Sequence, residues 1–214
     1  MSFYSCWGKR LMDLIFAVVG IVFFLPVVLL AGVLIIVDSG FPVFFLQKRI
    51  GKYGKVFVLL KLRTMYVRGA NGGRSFDAGD STRITPVGKV LRKTKIDELP
   101  QLFNVFLGQM SVVGPRPEVP EFRNFYIGDN EVILRCCPGI TDLASIKYRN
   151  EEELLLESPD PDSLYRELVL PDKLVINRTY AEKNPTFIQD FGIIVDTLII
   201  LCANYSKKKT ANHE

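Results

Sequence analysis

The stretch LIFAVVGIVFFLPVVLLAGVLIIV, residues 14–37, decides how this chain of 214 residues is organised. These 24 residues carry no charge, whereas Lys9, Arg10 and Asp13 precede them and Asp38 follows. As one helix they would extend about 36 Å, enough to cross the hydrocarbon core of a bilayer. The run exceeds the roughly 7–15 apolar residues of a signal peptide, and no small-residue cleavage site follows it. We therefore expect a membrane segment that the protein retains.

Pro26 lies near the centre of this apolar run. Proline removes one backbone hydrogen bond and bends a helix. Lys9 and Arg10 precede the run and several cations follow within residues 48–55, so the positive-inside rule favours the cytoplasmic side for both flanks. We predict a re-entrant helix-break-helix over residues 1–40, broken at Pro26 and dipping into one leaflet. A straight span remains the alternative.

Histidine and cysteine usage excludes several classes of enzyme. The only histidine, His213, lies one residue from the end, and the four cysteines show no CxxC spacing. Ser-His-Asp hydrolases, Cys-His proteases, zinc sites and disulfide frameworks are therefore poor interpretations. The cysteine pattern fits a reducing compartment.

Positive charge is concentrated in one block. Residues 47–96 contain 13 basic and 2 acidic side chains, a net charge of +11, while residues 97–214 are net negative. Such a block beside an apolar segment indicates an anionic partner, which could be a phosphorylated substrate, a lipid headgroup surface or nucleic acid. A merely solvated basic face is the plainer alternative.

The remainder predicts a mixed α/β domain, mainly helical, over residues 41–205, followed by a polar tail at 206–214. Apolar patterning, turn residues and prolines predict strands at 41–45 and 55–60, and helices at 88–94, 98–106, 151–156, 162–170 and 187–205. A mobile loop is expected at the glycine-rich residues 69–79. The last helix is apolar but carries two aspartates, so we expect it to be amphipathic and to lie on the membrane interface or against the core.

The candidate chemistry centres on Asp97 and Glu98, which follow a cluster of cations ending in Arg92, Lys93 and Lys95. Adjacent carboxylates can divide labour, one acting as nucleophile or metal ligand and the other handling a proton. We expect Asp97 at or near a helix N-cap, held ionised by the cations and the helix N-terminus. Ordinary helix capping would place the same two residues there.

Two further cationic features could hold phosphate. Arg116 stands between Pro115 and Pro117, and an arginine held so rigidly suits a phosphate or diphosphate, although a plain structural turn has the same pattern. Lys61 and Arg63 alternate on an extended stretch and should point to one side, towards a pyrophosphate or towards lipid headgroups.

The stretch GKVLRKTKIDELPQLFNVFLGQMSVVGPRP, residues 88–117, closely resembles the bacterial sugar transferase family of monotopic polyprenyl-phosphate phosphoglycosyl transferases. Supporting matches are KRLMD at 9–13, QKRIG at 47–51, KLRTM at 61–65 and PGIT at 138–141. The resemblance covers residues 5–205 in consistent order.

The resemblance implies an enzyme of the bacterial inner (cytoplasmic) membrane, with its catalytic domain on the cytoplasmic face. Such enzymes transfer a sugar-1-phosphate from a nucleotide diphosphate sugar, usually a UDP-sugar, to polyprenyl (undecaprenyl) phosphate. They release UMP and carry out the first membrane step of glycoconjugate assembly, as in polysaccharide biosynthesis.

The resemblance also implies roles for particular residues. Asp97 matches the nucleophile that forms a phosphosugar-aspartyl intermediate and helps to bind Mg²⁺, and Glu98 matches its proton-handling partner. Arg92 and Arg116 match phosphate-binding positions, and we assign Lys61 to the same role. Pro26 matches the proline of the re-entrant hairpin.

The chain departs from the commoner family pattern at three places. Leu25 replaces the serine that often precedes the hairpin proline, and Cys136-Cys137 stands where an arginine often precedes Pro138. Residues 142–150 read DLASIKYRN in place of a Gly-Trp-Ala-Gln pattern, which points to different substrate selection.

The leading alternative is a non-catalytic membrane-anchored protein that binds anionic lipids or polymers through the basic block. A nucleotidyl-diphosphate hydrolase is a lesser one. Nucleic-acid binding ranks last because no recognised motif for it is present.

Overall fold

The computed structural model of the chain describes residues 4–67, 82–183 and 185–210. The glycine-rich segment 69–79 and the last four residues of the predicted tail lie outside these ranges. The α-helices are α1 (Lys9–Ser39), α2 (Pro86–Thr94), α3 (Gln101–Phe106), α4 (Leu143–Lys147), α5 (Glu151–Leu156), α6 (Pro161–Leu164), α7 (Leu170–Glu182) and α8 (Phe187–Thr210). The strands are β1 (Phe44–Ile50), β2 (Val56–Leu62), β3 (Ser111–Val113) and β4 (Gly139–Thr141).

The mixed, mainly helical fold class is confirmed. Strands β1 and β2 form an antiparallel hairpin in which Phe44 pairs with Leu62 and Ile50 with Val56. The connecting turn holds Tyr53 at a φ of 56° and Gly54 at 72°. Strands β3 and β4 form a second, parallel pair. Both predicted strand regions of the hairpin exist, with bounds a few residues further along the chain.

The predicted break at Pro26 is wrong. Helix α1 runs without interruption for 31 residues, with Pro26 inside it. Proline removes only one backbone hydrogen bond. The turns on both sides are stabilised by packing, since Ala17 and Ala31 are buried in two separate core clusters.

The N-terminal end of α1 is fastened to the domain by charged side chains. Arg10 donates a hydrogen bond to the carbonyl oxygen of Val105 at 2.6 Å. The Asp13 carboxylate accepts from the hydroxyl of Ser111 at 3.0 Å and from the backbone N–H of Val112 at 2.9 Å. This end of the helix is therefore part of the folded domain.

The C-terminal end of α1 is fastened by Arg63, which is 5% exposed. Its guanidinium donates to the carbonyl oxygens of Ser39 at 3.0 Å, Gly40 at 2.6 Å and Phe41 at 3.0 Å. These bonds satisfy acceptors at a helix end. Arg63 therefore serves the fold and does not share the environment of Lys61.

Between its two fastened ends α1 presents an apolar surface. It is the one helix within the described ranges that is long and apolar enough to cross a membrane, and 11% of its most apolar 18-residue window is buried. Phe23 is 72% exposed and Leu29 62% exposed. Exposed apolar surface of this extent is typical of contact with lipid.

Helix α8 packs one side against the core and exposes apolar residues on the other. Asp190 is fully buried and accepts hydrogen bonds from Tyr4 at 2.7 Å and Tyr180 at 2.8 Å, with Lys9 paired to it as well. Ile188 is 82% exposed.

The core cluster with the most buried residues joins the end of β1 to the helical segments of the C-terminal half. It consists of Ile50, Val119, Phe122, Tyr126, Ile133, Leu155, Tyr165, Val169, Leu170 and Leu174.

Residues 161–182 form a nearly continuous helical run. The helix predicted to end at residue 170 therefore continues past Pro171, which lies at the junction of the π-helical turn Tyr165–Val169 and α7, in the first two positions of α7.

Candidate active site

Asp97 and Glu98 lie in a 3₁₀ turn, Ile96–Glu98, between α2 and α3. Lys95 adopts a left-handed conformation with a φ of 58° and turns the chain between the two elements. The predicted N-cap role of Asp97 is wrong, since Pro100 precedes α3 and no side chain caps it. The turn instead directs Glu98 towards Lys61 on β2 and Arg116 in the loop that follows β3.

Glu98 forms the centre of an ion-pair cluster. Its Oε1 accepts from Arg116 Nη2 at 2.8 Å and from Lys61 Nζ at 3.1 Å, and its Oε2 accepts from Arg116 Nη1 at 3.3 Å. The structure thus brings together three residues that are separated by up to 55 positions in sequence. Bidentate pairing of this kind fixes the guanidinium plane.

The cluster controls the ionisation of Glu98. Burial alone would raise the Glu98 pKa, but the positive charges of Arg116 and Lys61 outweigh it and hold the pKa well below its usual range. In return the Glu98 charge raises the Arg116 pKa. Glu98 is therefore a carboxylate at neutral pH.

Asp97 lies in a different environment from its neighbour. It is 6% exposed, and its Oδ1 is buried without a hydrogen bond from any described residue. Burial and then the Glu98 charge raise the Asp97 pKa, against smaller opposing effects of Lys61, Lys95 and Arg92. Burial therefore outweighs the effect of the cations on the Asp97 pKa, whereas the sequence suggested that the cations would dominate.

Arg92 is half-buried in the last turn of α2, and its charge reaches Asp97. Lys61 projects from β2, and burial lowers its pKa while Glu98 opposes the shift. The predicted phosphate-binding cations Lys61 and Arg116 thus lie in one cluster with Glu98, and Arg92 contributes its charge beside Asp97.

Two site residues were missed by sequence reasoning. Asp142, at the start of α4, accepts from the backbone N–H of Arg116 at 2.9 Å. Arg49 donates to the carbonyl oxygen of Pro117 at 3.0 Å and lies 3.8 Å from Glu118. The only sequence signals were the departure at 142 and the QKRIG match, neither of which specifies a contact. Because Arg49 is directed inwards, it is not a free cation for headgroups.

The residues present fit a magnesium ion that is shared with a substrate. In the described part of the chain no three His, Cys, Asp or Glu side chains cluster to form a metal site. Mg²⁺ is commonly bound by one or two carboxylates together with substrate phosphates and water. The unpartnered Oδ1 of Asp97, beside several cations that suit phosphate, matches that donor set.

Comparison with known proteins defines the class. The model of the bacterial sugar transferase family matches residues 4–204. A Bacillus subtilis protein with the provisional name undecaprenyl-phosphate N-acetylgalactosaminyl 1-phosphate transferase is 41% identical over 133 residues, which are 62% of this chain and 70% of that protein. This chain belongs to the bacterial sugar transferase family. The family prediction is confirmed, and with it the prediction of an enzyme of the transferase class.

Two other relatives are longer proteins. A UDP-N-acetylgalactosamine-undecaprenyl-phosphate N-acetylgalactosaminephosphotransferase of Aeromonas hydrophila is 47% identical, over 65% of this chain and 34% of that protein. A UDP-glucose:undecaprenyl-phosphate glucose-1-phosphate transferase of Caulobacter vibrioides is 39% identical, over 65% of this chain and 53% of that protein. The chain therefore matches about a third to a half of these two relatives.

Proposed function

We propose that this protein transfers a sugar-1-phosphate from a UDP-sugar to undecaprenyl phosphate and releases UMP. The observation that carries the proposal is the cluster of Lys61, Glu98 and Arg116 beside the unpartnered carboxylate oxygen of Asp97. Cations at such a site can hold a diphosphate, and a buried carboxylate next to it can attack phosphorus. The names of the relatives supply the nucleotide and the lipid acceptor.

In the first step a carboxylate oxygen of Asp97 attacks the phosphorus that bears the sugar. The bond from that phosphorus to the bridging oxygen breaks, and the bridging oxygen leaves with UMP. Lys61, Arg92 and Arg116 stabilise the charge that develops on the phosphate oxygens. The product on the protein is a phosphosugar-aspartyl intermediate.

In the second step a phosphate oxygen of the lipid acceptor attacks the same phosphorus. The bond to Asp97 breaks, which restores the carboxylate and yields the lipid diphosphate sugar. Glu98 accepts the proton of the acceptor phosphate. Once a bound phosphate neutralises Arg116 and Lys61, the effect that lowers the Glu98 pKa weakens, and Glu98 becomes a stronger base.

Asp97 would hold magnesium through its free oxygen together with the donor diphosphate. The ion supplies Lewis-acid stabilisation of phosphate charge. A cation at this oxygen also favours the ionised form of Asp97, opposing the effect of burial.

The cytoplasmic face of the bacterial inner membrane is the proposed location. The exposed apolar surface of α1 supports contact with lipid, and the acceptor is itself a membrane lipid. Residues 41–205 would form the catalytic domain, with α1 packed against it.

Release of UMP is the direct test. Purified protein in detergent with Mg²⁺ and undecaprenyl phosphate would be assayed against UDP-N-acetylgalactosamine, UDP-N-acetylglucosamine, UDP-glucose and UDP-galactose. Turnover should require the lipid, and Asp97→Asn should reduce it by at least about 10³-fold. Mass spectrometry of wild-type protein incubated with donor alone should find one phosphosugar on the peptide that contains Asp97.

Asp129→Asn is the matched control, because its carboxylate is 89% exposed and pairs only weakly with Arg178 at 3.3 Å. Its turnover should equal that of wild type. Equal activity of wild type and Asp97→Asn would overturn the proposal. Membrane binding with no donor turnover in folded protein would favour the non-catalytic anchor, and UMP release without lipid would favour the hydrolase.

A further inference from the structure

The backbone around Arg116 is held from both sides by charged side chains, the buried Asp142 and the half-buried Arg49. The Arg116 N–H donates to Asp142 Oδ2 at 2.9 Å. One residue later, the carbonyl oxygen of Pro117 accepts from Arg49 Nη1 at 3.0 Å. The two flanking prolines restrict φ but leave the direction of the loop open. These two contacts fix where the Arg116 side chain starts.

Asp142 reaches Arg116 because β3 and β4 approach very closely. The N–H of Gly114 donates to the carbonyl oxygen of Thr141 at 3.0 Å. The N–H of Gly139 donates to the carbonyl oxygen of Pro115, also at 3.0 Å. A Cβ atom on Gly139 would overlap the backbone of Gly114. The strand ends are thus locked together, and the residue that follows β4 meets the residue that follows Pro115.

The two carboxylate oxygens of Asp142 have separate partners. Oδ1 accepts from the backbone N–H of Ser145 at 2.6 Å and caps α4, while Oδ2 accepts from Arg116. Asp142 is 3% exposed, so neither bond is readily replaced by water. Asparagine could satisfy only one of the two N–H groups, whereas an ionised aspartate accepts at both oxygens.

We propose that Asp142 is a positioning residue that holds the backbone of Arg116 so that its guanidinium meets both Glu98 and the donor diphosphate. The inference rests on the proposed role of Arg116 in binding phosphate. It also gives a structural meaning to the departure of this chain at 142–150, since the first residue of that segment contacts the arginine directly. Displacing a substrate-binding group by about 1 Å can reduce a rate 10²-fold.

Asp142→Ser separates positioning from capping. Serine is also a good N-cap and can still accept from Ser145, but it is too short to keep the second bond. UMP release would be measured with the UDP-sugar of the above panel that turns over fastest. We expect kcat/KM for the donor to fall about tenfold, mainly through KM, with a melting temperature within a few degrees of wild type.

Asp160→Ser is the matched control. Asp160 caps α6 by accepting from the N–H of Ser163 at 3.1 Å, is exposed, and makes no contact with Arg116. Its kcat/KM should be unchanged. If Asp142→Ser has no larger effect than this control, Asp142 is only a helix cap and the inference is wrong.

The double variant Asp142→Ser with Arg116→Lys tests whether Asp142 acts through the arginine. If it does, adding Asp142→Ser to the Arg116→Lys variant lowers kcat/KM by much less than tenfold. Fully multiplicative effects would overturn the inference. If Arg116→Lys alone leaves kcat/KM unchanged, the proposed role of Arg116 is wrong. If Arg116→Lys lowers kcat/KM and Asp142→Ser does not, only the inference about Asp142 is wrong.

Discussion

Arg116 and Glu98 form a two-point ion pair, with Nη2 2.8 Å from Oε1 and Nη1 3.3 Å from Oε2. The pair occupies the fork of the guanidinium that is proposed to bind phosphate. A donor diphosphate must therefore share or displace an internal anion. Glu98 thus braces the arginine in the free protein, and under the proposed mechanism it acts as a base when phosphate is bound.

Glu98→Gln should destabilise the protein in a pH-dependent manner. The variant leaves Arg116 and Lys61 without their anion, and we expect the free energy of unfolding at pH 7 to fall by about 3 kcal/mol. The pKa of Glu98 in the folded state lies below its ordinary 4.5, so its contribution is present above about pH 4.5 and is lost as pH falls through the folded value. Thermal unfolding in detergent from pH 3 to 7 measures the difference, which should shrink below pH 4.5.

Glu157→Gln is the control for this series, since Glu157 is exposed. It should change stability by less than about 0.5 kcal/mol across the range. A Glu98→Gln difference that stays constant from pH 7 to 3 would contradict the assigned ion pair.

The rate of the donor half-reaction should fall on the acidic side of its pH profile, at a pH above the ordinary pKa of aspartate. The raised pKa of Asp97 means that its active, ionised form is lost as pH falls, at a pH higher than 3.8. In a plot of kcat/KM against pH, this limb reports the pKa of the group in the free enzyme. Lys61→Met should move the limb to higher pH, because the Lys61 charge lowers the Asp97 pKa.

Single-turnover release of UMP between pH 4 and 8 checks both statements. Lys55→Met is the control, because Lys55 is exposed on the hairpin, and its limb should coincide with that of wild type. A limb that Lys61→Met leaves in place or moves to lower pH would contradict the assignment to Asp97.

Lys61 and Arg63 should behave as opposites despite their KLR spacing. Arg63→Met removes the bonds to three carbonyl oxygens at the end of α1, so we expect a loss of about 3 kcal/mol in stability with donor KM unchanged in the folded fraction. Lys61→Met should instead raise donor KM about tenfold or more. Denaturation curves and donor titrations on both variants distinguish the roles, and a raised donor KM in well-folded Arg63→Met would show that Arg63 also binds phosphate.

Both ends of α1 should lie on the same side of the membrane. Arg10 and Arg63 fasten opposite ends of the helix to one folded domain, so a crossing would separate groups that the fold joins. Single cysteines at Trp7 and Lys52, in a background without the natural cysteines, should react with an impermeant maleimide from the same side of oriented vesicles. Labelling from opposite sides would mean that α1 spans the bilayer.

The sequence predicted the type of most elements because their signals are local. The signals of the apolar run at 14–37 and of the aromatic strands at 41–45 and 55–60 depend on neighbouring residues alone. The behaviour of Pro26 could not be read in this way. Whether a helix continues through a proline depends on packing of the flanking turns, which here involves residues far along the chain.

Sequence motifs pointed to several residues of the candidate site, but they did not predict how deeply Asp97 is buried. Asp97, Glu98, Arg92 and Arg116 were identified from motifs, yet the cations near Asp97 in sequence suggested an ionised carboxylate. Burial opposes the effect of those cations and raises the Asp97 pKa, and burial is a property of the assembled domain. Asp142 escaped notice because its partner is a backbone N–H, which no side-chain pattern specifies.

The fastening of α1 at both ends has a practical consequence for anyone who wishes to produce the protein. Trimming the first 40 residues would uncover Leu59 and Val105, which pack on Ala17, and would remove two of the three carbonyl partners of Arg63, those of Ser39 and Gly40. The remaining residues would form a damaged domain with newly exposed apolar surface, prone to aggregate during recombinant expression. Preparations should therefore keep the whole chain and supply a lipid substitute from the first extraction step.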